Sequence, residues 1–498
     1  MKIDLFGGSY NDKYIQLNSQ LTRNWYTAYS YHDQIADQEV NSNSGTFNRE
    51  SGKEVRTLKP TPGLPLFASN QGNCSRGAFS INDRGFFVVD NTLYEVYTDG
   101  TLTSRGTLSV SPGGATTKVW MAANNNNEIM LADHAVGYIF NTSTNVLTQI
   151  TDADFPGADT LTSQDNRFIV TFNGRVYFSD LNNGMSWTGV NVYTPSYKAD
   201  NVKAVISLQE EIYNFGSETL EIYFDNGETP LERVSRSSIQ YGIVAPETLV
   251  VTANVILFAS KFSNGQLRIV QISPNHEIES IAPPSITYQI GKHENLEDMY
   301  AWAYTSPDGH VFYVLTIPSA EKTLVYDLTT KDWHEWSSFL GNNANGIPIY
   351  GRFLGKHHLF LKGKHLVSGF NNGNIYQLDW NTFTENGNAI VRQRDTQIYH
   401  SEYKMISVHE LELDMNTGSG TLSGQGSTPV MMFQISKDGG KTFSPEKFVR
   451  MGKHGDYLYR CKIRMLGTAK TWVLRFKLSD PVDVCLIGAR VRGSIGGY

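Results

Sequence analysis

From about Ala78 the chain repeats one loose pattern: two or three short apolar strands, then an apolar pair or triplet running into a turn. The recurring landmarks are Leu93-Tyr94-Glu95-Val96, Tyr138-Ile139-Phe140, Val176-Tyr177-Phe178, Glu221-Ile222-Tyr223, Arg268-Ile269-Val270, Thr323-Leu324-Val325-Tyr326 and Asn374-Ile375-Tyr376. From Tyr94 through Tyr138, Val176, Ile222, Ile269 and Leu324 to Ile375 the spacings are 44, 38, 46, 47, 55 and 51 residues. A period of roughly 40–50 residues made of short antiparallel strands is what β-propeller blades look like in sequence. Meanders in a sandwich also recur, but seven units of near-equal length are hard to place in one sandwich. The repeats predict an irregular propeller.

Residue usage points the same way. Gly (44) and Asn (38) supply tight reversals, and 59 aromatic residues suit pleated surfaces. The chain is expected to be all-β, and a helical bundle is excluded. With 498 residues and 40% of them apolar it can bury a sizeable core. Three blocks are expected: an N-terminal arm at 1–75, propeller-like repeats at 76–390, and an antiparallel β-sandwich at 391–498. The arm is polar, with runs such as Asn41-Ser42-Asn43-Ser44, and ends in the stiff turn Pro60-Thr61-Pro62-Gly63-Leu64-Pro65. Short exposed edges where the repeats close invite a strand from a terminus. After Asn388 the strands Val408–Leu413, Val430–Ile435, Tyr457–Met465, Trp472–Leu478 and Val484–Val491 read as the sandwich.

Three cysteines, Cys74, Cys461 and Cys485, are too few for a disulfide scaffold, which suggests a reducing compartment. The start Met1–Gly8 lacks the apolar stretch of a signal peptide, and Val255–Ala259 is far short of a membrane span. A soluble, unexported chain without membrane insertion is expected.

No constellation reads as an active site, a cofactor cradle or a metal centre. Ser436-Lys437-Asp438-Gly439-Gly440-Lys441-Thr442-Phe443 matches the Asp-box pattern, whose role is to close a hairpin. Gly440-Lys441-Thr442 is not a phosphate loop, because the required first glycine is Ile435 and no helix follows. His357 and His358 are neighbours in a strand and point to opposite faces, so they cannot share a metal. Asp225, Asp327 and Asp379 follow strands, where carboxylates commonly stabilise turns.

Charge is the informative asymmetry. From Val430 to Tyr498 there are 13 Lys+Arg against 5 Asp+Glu, or +8, so the preceding 429 residues carry −15 of the net −7. All the asparagines lie at or before Asn416. Arg460, Lys462 and Arg464 alternate with Cys461, Ile463 and Met465. Arg475 and Lys477 alternate with Leu474, Phe476 and Leu478, and Arg490 and Arg492 flank Val491. Period-2 alternation sends the apolar set into a core and these seven cations outward. They form either a surface for an acidic partner or DNA phosphates, or an ordinary solvated sheet face.

Further motifs, taken in order, resemble the packaged-DNA stabilisation proteins of short-tailed bacteriophages, the tail hub or nozzle family. At the N-terminus these are Gly7-Gly8-Ser9-Tyr10, Asn24-Trp25-Tyr26 and Thr61-Pro62-Gly63-Leu64. In the middle they are Ile239–Pro246, Val255–Phe258, Ala301–Tyr304, His310–Tyr313 and Leu324–Asp327. Near the C-terminus Ser436–Phe443, Gly452–Tyr457, Arg464–Gly467 and Leu478–Val482 are similar to consecutive family motifs. The Asn-rich stretch Asn124–Asn127 departs from that pattern. The resemblance implies a virion tail component assembled in the host cytoplasm: a homohexameric ring below the portal and its adaptor ring. Such a ring extends the channel for packaged double-stranded DNA without reading its sequence, retains the genome and anchors distal tail parts. It implies no catalytic residue and no cofactor. The rival class is a propeller that binds or cleaves glycans, or a receptor-binding spike. A glycosidase or lectin would need converging carboxylates or an arginine cluster on one propeller face.

Overall fold

The computed structural model describes residues 13–15, 19–29, 56–109, 117–195, 200–224, 231–234, 239–261, 265–402 and 404–496. The Gly7–Tyr10 motif, the Asn41–Thr46 run and the turn at Asp225 lie outside the described residues. The chain forms two compact units. One comprises Leu66–Thr323 and Arg352–Leu378, and the other Met1–Pro65, Leu324–Gly351 and Asp379–Tyr498. Among the described residues the only α-helix is Pro284–Gly291, and the fold is otherwise all-β.

The first unit is propeller-like. Four four-stranded meanders begin at Ser75, Trp120, Thr160 and Val202. A fifth sheet centres on Val255–Lys261, and Tyr300–Thr305 with Val311–Ile317 forms a hairpin. The last sheet is Gly355–Leu361, Lys364–Gly369 and Ile375–Leu378. Its fourth strand, Leu66–Ala68, comes from some 300 residues upstream and pairs Ala68 with Ile375. Five sequence landmarks fall on the third strands of their sheets or on Leu267–Ile272. The sixth lies on Lys322–Asp327, third in chain order after the Tyr300 hairpin, and the seventh on Ile375–Leu378.

Neighbouring sheets share apolar cores. Phe86 and Val88 of the first pack with Leu131 and Phe140 of the second, and Met130 and Ile139 of the second with Phe168 and Val170 of the third. Val89 of the first sheet packs with Leu359 and Leu366 of the last, which closes the circuit. Strands held between two cores are buried on both faces, which is why Glu128–Asp133 is buried throughout. The sheets approach closely: a Cβ on Gly77 would lie 2.5 Å from the Val119 carbonyl oxygen. The buried Arg76–Asp133 ion pair spans the same joint, and Arg76 also donates to the Thr117 carbonyl at 2.7 Å.

The asparagines serve the hairpins. Asn82 and Asp83 (φ 47° and 59°) and Asp165 and Asn166 (φ 47° and 61°) form two-residue turns with both residues left-handed. That geometry matches strand twist and favours Asn, Asp and Gly. It explains why Asn and Asp occupy these turns.

The second unit contains a two-sheet sandwich. One sheet runs Trp25–Tyr29, Arg56–Pro60, Leu486–Ile495, Ile406–Met415, Cys461–Ala469, with Lys13–Ile15 also on Leu486–Ile495. Facing strands are Asp332–Asn342, Ser19–Arg23, Arg392–Thr396, Thr471–Leu478, Val430–Ser436 and Lys447–Arg450, in that order. Leu411, Leu413, Ile463 and Val491 of the first sheet meet Phe433, Ile435, Leu474 and Phe476 of the other. The motifs at Asn24–Tyr26 and Thr61–Leu64 are built into this unit. Asn24 adopts φ 54°, and its amide donates to the carbonyls of Ser337 and Val391, each at 2.9 Å. Trp25 is thereby placed in the sandwich core. Thr61 donates its amide to the Asn24 carbonyl at 3.2 Å, and Gly63 to that of Asp379 at 2.9 Å. A Cβ on Gly63 would come within 2.2 Å of the Thr382 oxygen.

Candidate functional site

The seven cations separate into two groups, because their strands belong to different sheets. Arg460 directly precedes Cys461–Ala469, which bears Lys462 and Arg464, and Arg490 and Arg492 lie on Leu486–Ile495. Ile406–Met415 runs between these two strands and presents Glu410 and Glu412 on the same face. Arg460 makes a two-pronged contact with Glu412, both prongs 2.6 Å. Glu410 accepts from Arg464 at 2.7 Å and from Lys462 at 3.3 Å, and Arg492 stands 3.9 Å away. Arg490 pairs with Glu412 in the strand register. Asp414 follows Glu412 in the same alternation, so five cations and three carboxylates leave a net +2 on this face.

The hydrogen bond from Arg464 holds the Glu410 carboxyl below its ordinary range, and that from Arg460 does the same for Glu412. Both acids are thus charged at neutral pH and tie the face together. Behind it, burial pushes the Cys461 thiol up to about 12, so it acts as a small core hydrophobe.

Arg475 and Lys477 lie on the other sheet. Arg475 holds Asp395 with bonds of 2.8 and 2.7 Å, and its guanidinium sits 3.5 Å over the Phe443 ring. Lys477 reaches Glu446 at 3.0 Å. Phe443 ends the Asp box. There Asp438 accepts from the amides of Lys441 (2.9 Å) and Thr442 (3.0 Å), while Gly439 and Gly440 take positive φ. The hydroxyls of Ser436 and Thr442, with these amides, pull the Asp438 carboxyl far below the usual range. The box is a structural hairpin clamp.

The expected core position of Met465 is wrong. Register shifts between Val408 and Glu410, opposite Arg464 to Gly467, and Met465 adopts φ 59°. This bulge turns Met465 outward to 88% exposure and brings Leu466 into the core instead. The anions were partly legible: in Val408-His-Glu-Leu-Glu-Leu413 the acids alternate with leucines. Their place beside cations some 50 residues away was not.

The other singled-out residues have structural roles. Asp327 accepts from the Thr329 amide at 2.8 Å, and Asp379 from the Asn381 amide at 3.1 Å. His357 is buried, whereas the His358 ring stacks on Trp302 and shares a 3.0 Å contact with His365. Among the described residues no group of three or more His, Cys, Asp or Glu could hold a metal ion. Nor is any described helix long and apolar enough to cross a membrane.

Comparison with known proteins adds the family. Residues 38–383 match the model described as bacteriophage P22 Gp10, beta-propeller, and residues 391–494 match bacteriophage P22 Gp10, beta-sandwich. No curated protein matches the chain. Among solved structures, a streptogramin B lyase is similar at 11% identity and TM-score 0.41, over 64% of this chain and 97% of that one. The virginiamycin B lyase from Staphylococcus aureus is similar at 12% and 0.40, over 63% and 97%. BamB from Moraxella catarrhalis is similar at 8% and 0.37, over 65% and 91%. Likenesses this distant carry nothing about activity. The two family matches cover nearly the whole chain, propeller and sandwich in the expected order, and the chain belongs to the bacteriophage P22 Gp10 family of phage stabilisation proteins.

Proposed function

We propose that the chain forms the tail hub of a short-tailed phage: a six-fold ring below the portal and adaptor that extends the DNA channel. There it would help retain the packaged genome and anchor the distal tail parts, without catalysing a reaction. The observation that carries this reading is the family match over both units. The charge asymmetry extends it. Cations on a DNA path would bind phosphates and slow a genome that has to slide out. The reading therefore turns the basic sandwich faces toward an acidic protein partner or the neighbouring subunit, and borders the channel with the acidic remainder. In a ring each contact is heterologous, so one patch meets a different one.

Mass measurement of the assembled particle tests this. Six copies per tail are expected. Three copies would support a receptor-binding spike, and a monomer with hydrolase activity would support the enzyme class.

A further inference from the structure

A heterologous ring needs two complementary patches on a single chain, and one corner of the sandwich unit has the character of one of them. Two loops meet there, 416–429 and 451–460. Thr417 donates its hydroxyl to the Tyr457 carbonyl at 2.9 Å, Gly455 its amide to the Gly418 carbonyl at 3.1 Å, and the His454 ring lies 3.0 Å from the Gly420 oxygen. Asp456 braces its own turn by accepting the Lys453 amide at 3.0 Å. Gly418 and Gly455 take φ of +83° and +85°, so the turns depend on glycine.

On this cross-braced scaffold Leu422 is 85% exposed, Tyr457 70% and Leu458 95%. Single exposed apolar residues are ordinary, but several on two bonded loops mark a contact surface. The apolar run leads directly into Arg460, the first cation of the basic face. Tyrosine and arginine are enriched at the centres of protein interfaces, and the two leucines add apolar area around them.

The charge decides between occupants. The cationic face beside this corner favours an acidic surface, and residues 1–429 of every copy carry −15 against +8 on residues 430–498. A second copy of the chain therefore provides the complementary surface without any further component. We propose that the loop corner anchored by Leu422, Tyr457 and Leu458 docks on the acidic region of a neighbouring copy. This rests on the ring reading above and assigns one side of its subunit contact.

Photo-crosslinking tests it in assembled particles, with p-benzoylphenylalanine in place of Leu458. The expected product has about twice the 55.7 kDa chain mass, with the linked peptide of the second copy inside residues 1–429. A link to another virion protein, a link to residues 430–498 of the second copy, or no link would overturn the assignment. Leu458→Asp gives a second reading. It should reduce incorporation into particles about tenfold or more while leaving the thermal midpoint of the free chain unchanged. Unchanged incorporation would overturn the assignment. Particle mass separates the two levels: six copies with the link elsewhere sinks the corner and leaves the ring, whereas any other copy number sinks both.

Discussion

Replacing Arg460 and Arg464 together by Glu is the sharpest test of the basic face. The two arginines are 63% and 67% exposed and hold Glu412 and Glu410 at 2.6 and 2.7 Å. Pairs this exposed contribute about 0.2–1 kcal/mol each. Each new Glu beside an existing one adds repulsion of about 1 kcal/mol at ~4 Å in a water-like dielectric. The free chain should therefore lose roughly 2–4 kcal/mol, within the ~5–15 kcal/mol that domains typically hold. The face itself changes from +2 to −2, since two of its five cations become acids. If it meets an acidic surface, like charges then confront each other, at several kcal/mol in association. Urea unfolding of the free subunit should thus show a shifted but cooperative transition, while particle assembly fails. Arg460→Gln with Arg464→Gln, which leaves the face neutral, should unfold closer to the parent and assemble partially. Normal assembly of the Glu variant with an altered rate of DNA release would refute the reasoning and place the cations on the channel.

Three further outcomes are expected. Asp133→Asn leaves the fully buried Arg76 uncompensated and should cost about 3–5 kcal/mol, a drop of roughly 6–20 °C in thermal midpoint; Arg76→Met with Asp133→Leu should recover most of it. Leu466→Ala should cost about 2–5 kcal/mol, while the neighbouring Met465→Ala stays within ~0.5 kcal/mol by denaturant titration, and the reverse order would contradict the bulge. Burial lowers His358 to about 3 and His365 to about 4 from an ordinary 6.5, so the unfolded chain takes up protons first. Their contribution to stability should be complete above pH 6.5 and decline as pH falls toward 4, with both rings still neutral by NMR at about pH 5.5.

The propeller was legible in the chain because each meander pairs strands adjacent in sequence. Its period survives as landmarks such as Tyr138 and Ile222, and its hairpins as Asn-rich turns. Alternation likewise placed Arg460, Lys462 and Arg464 on one face and Cys461 and Ile463 behind it, since strand side chains alternate whatever they pack against. The family was readable from the order of its motifs, and the structure gives some of them a physical reason: Asn24 and Gly63 sit where a left-handed turn and a 2.2 Å approach admit few other residues. Tertiary structure alone decided the rest. The terminal strand invited at the closure is Leu66–Ala68, paired with Ile375–Leu378, while Glu410 and Glu412 come to lie between two cationic strands and a bulge exchanges Met465 for Leu466. Local propensity cannot choose partners hundreds of residues apart; those choices follow from which long-range pairing covers an open strand edge, compensates a charge or fills a core.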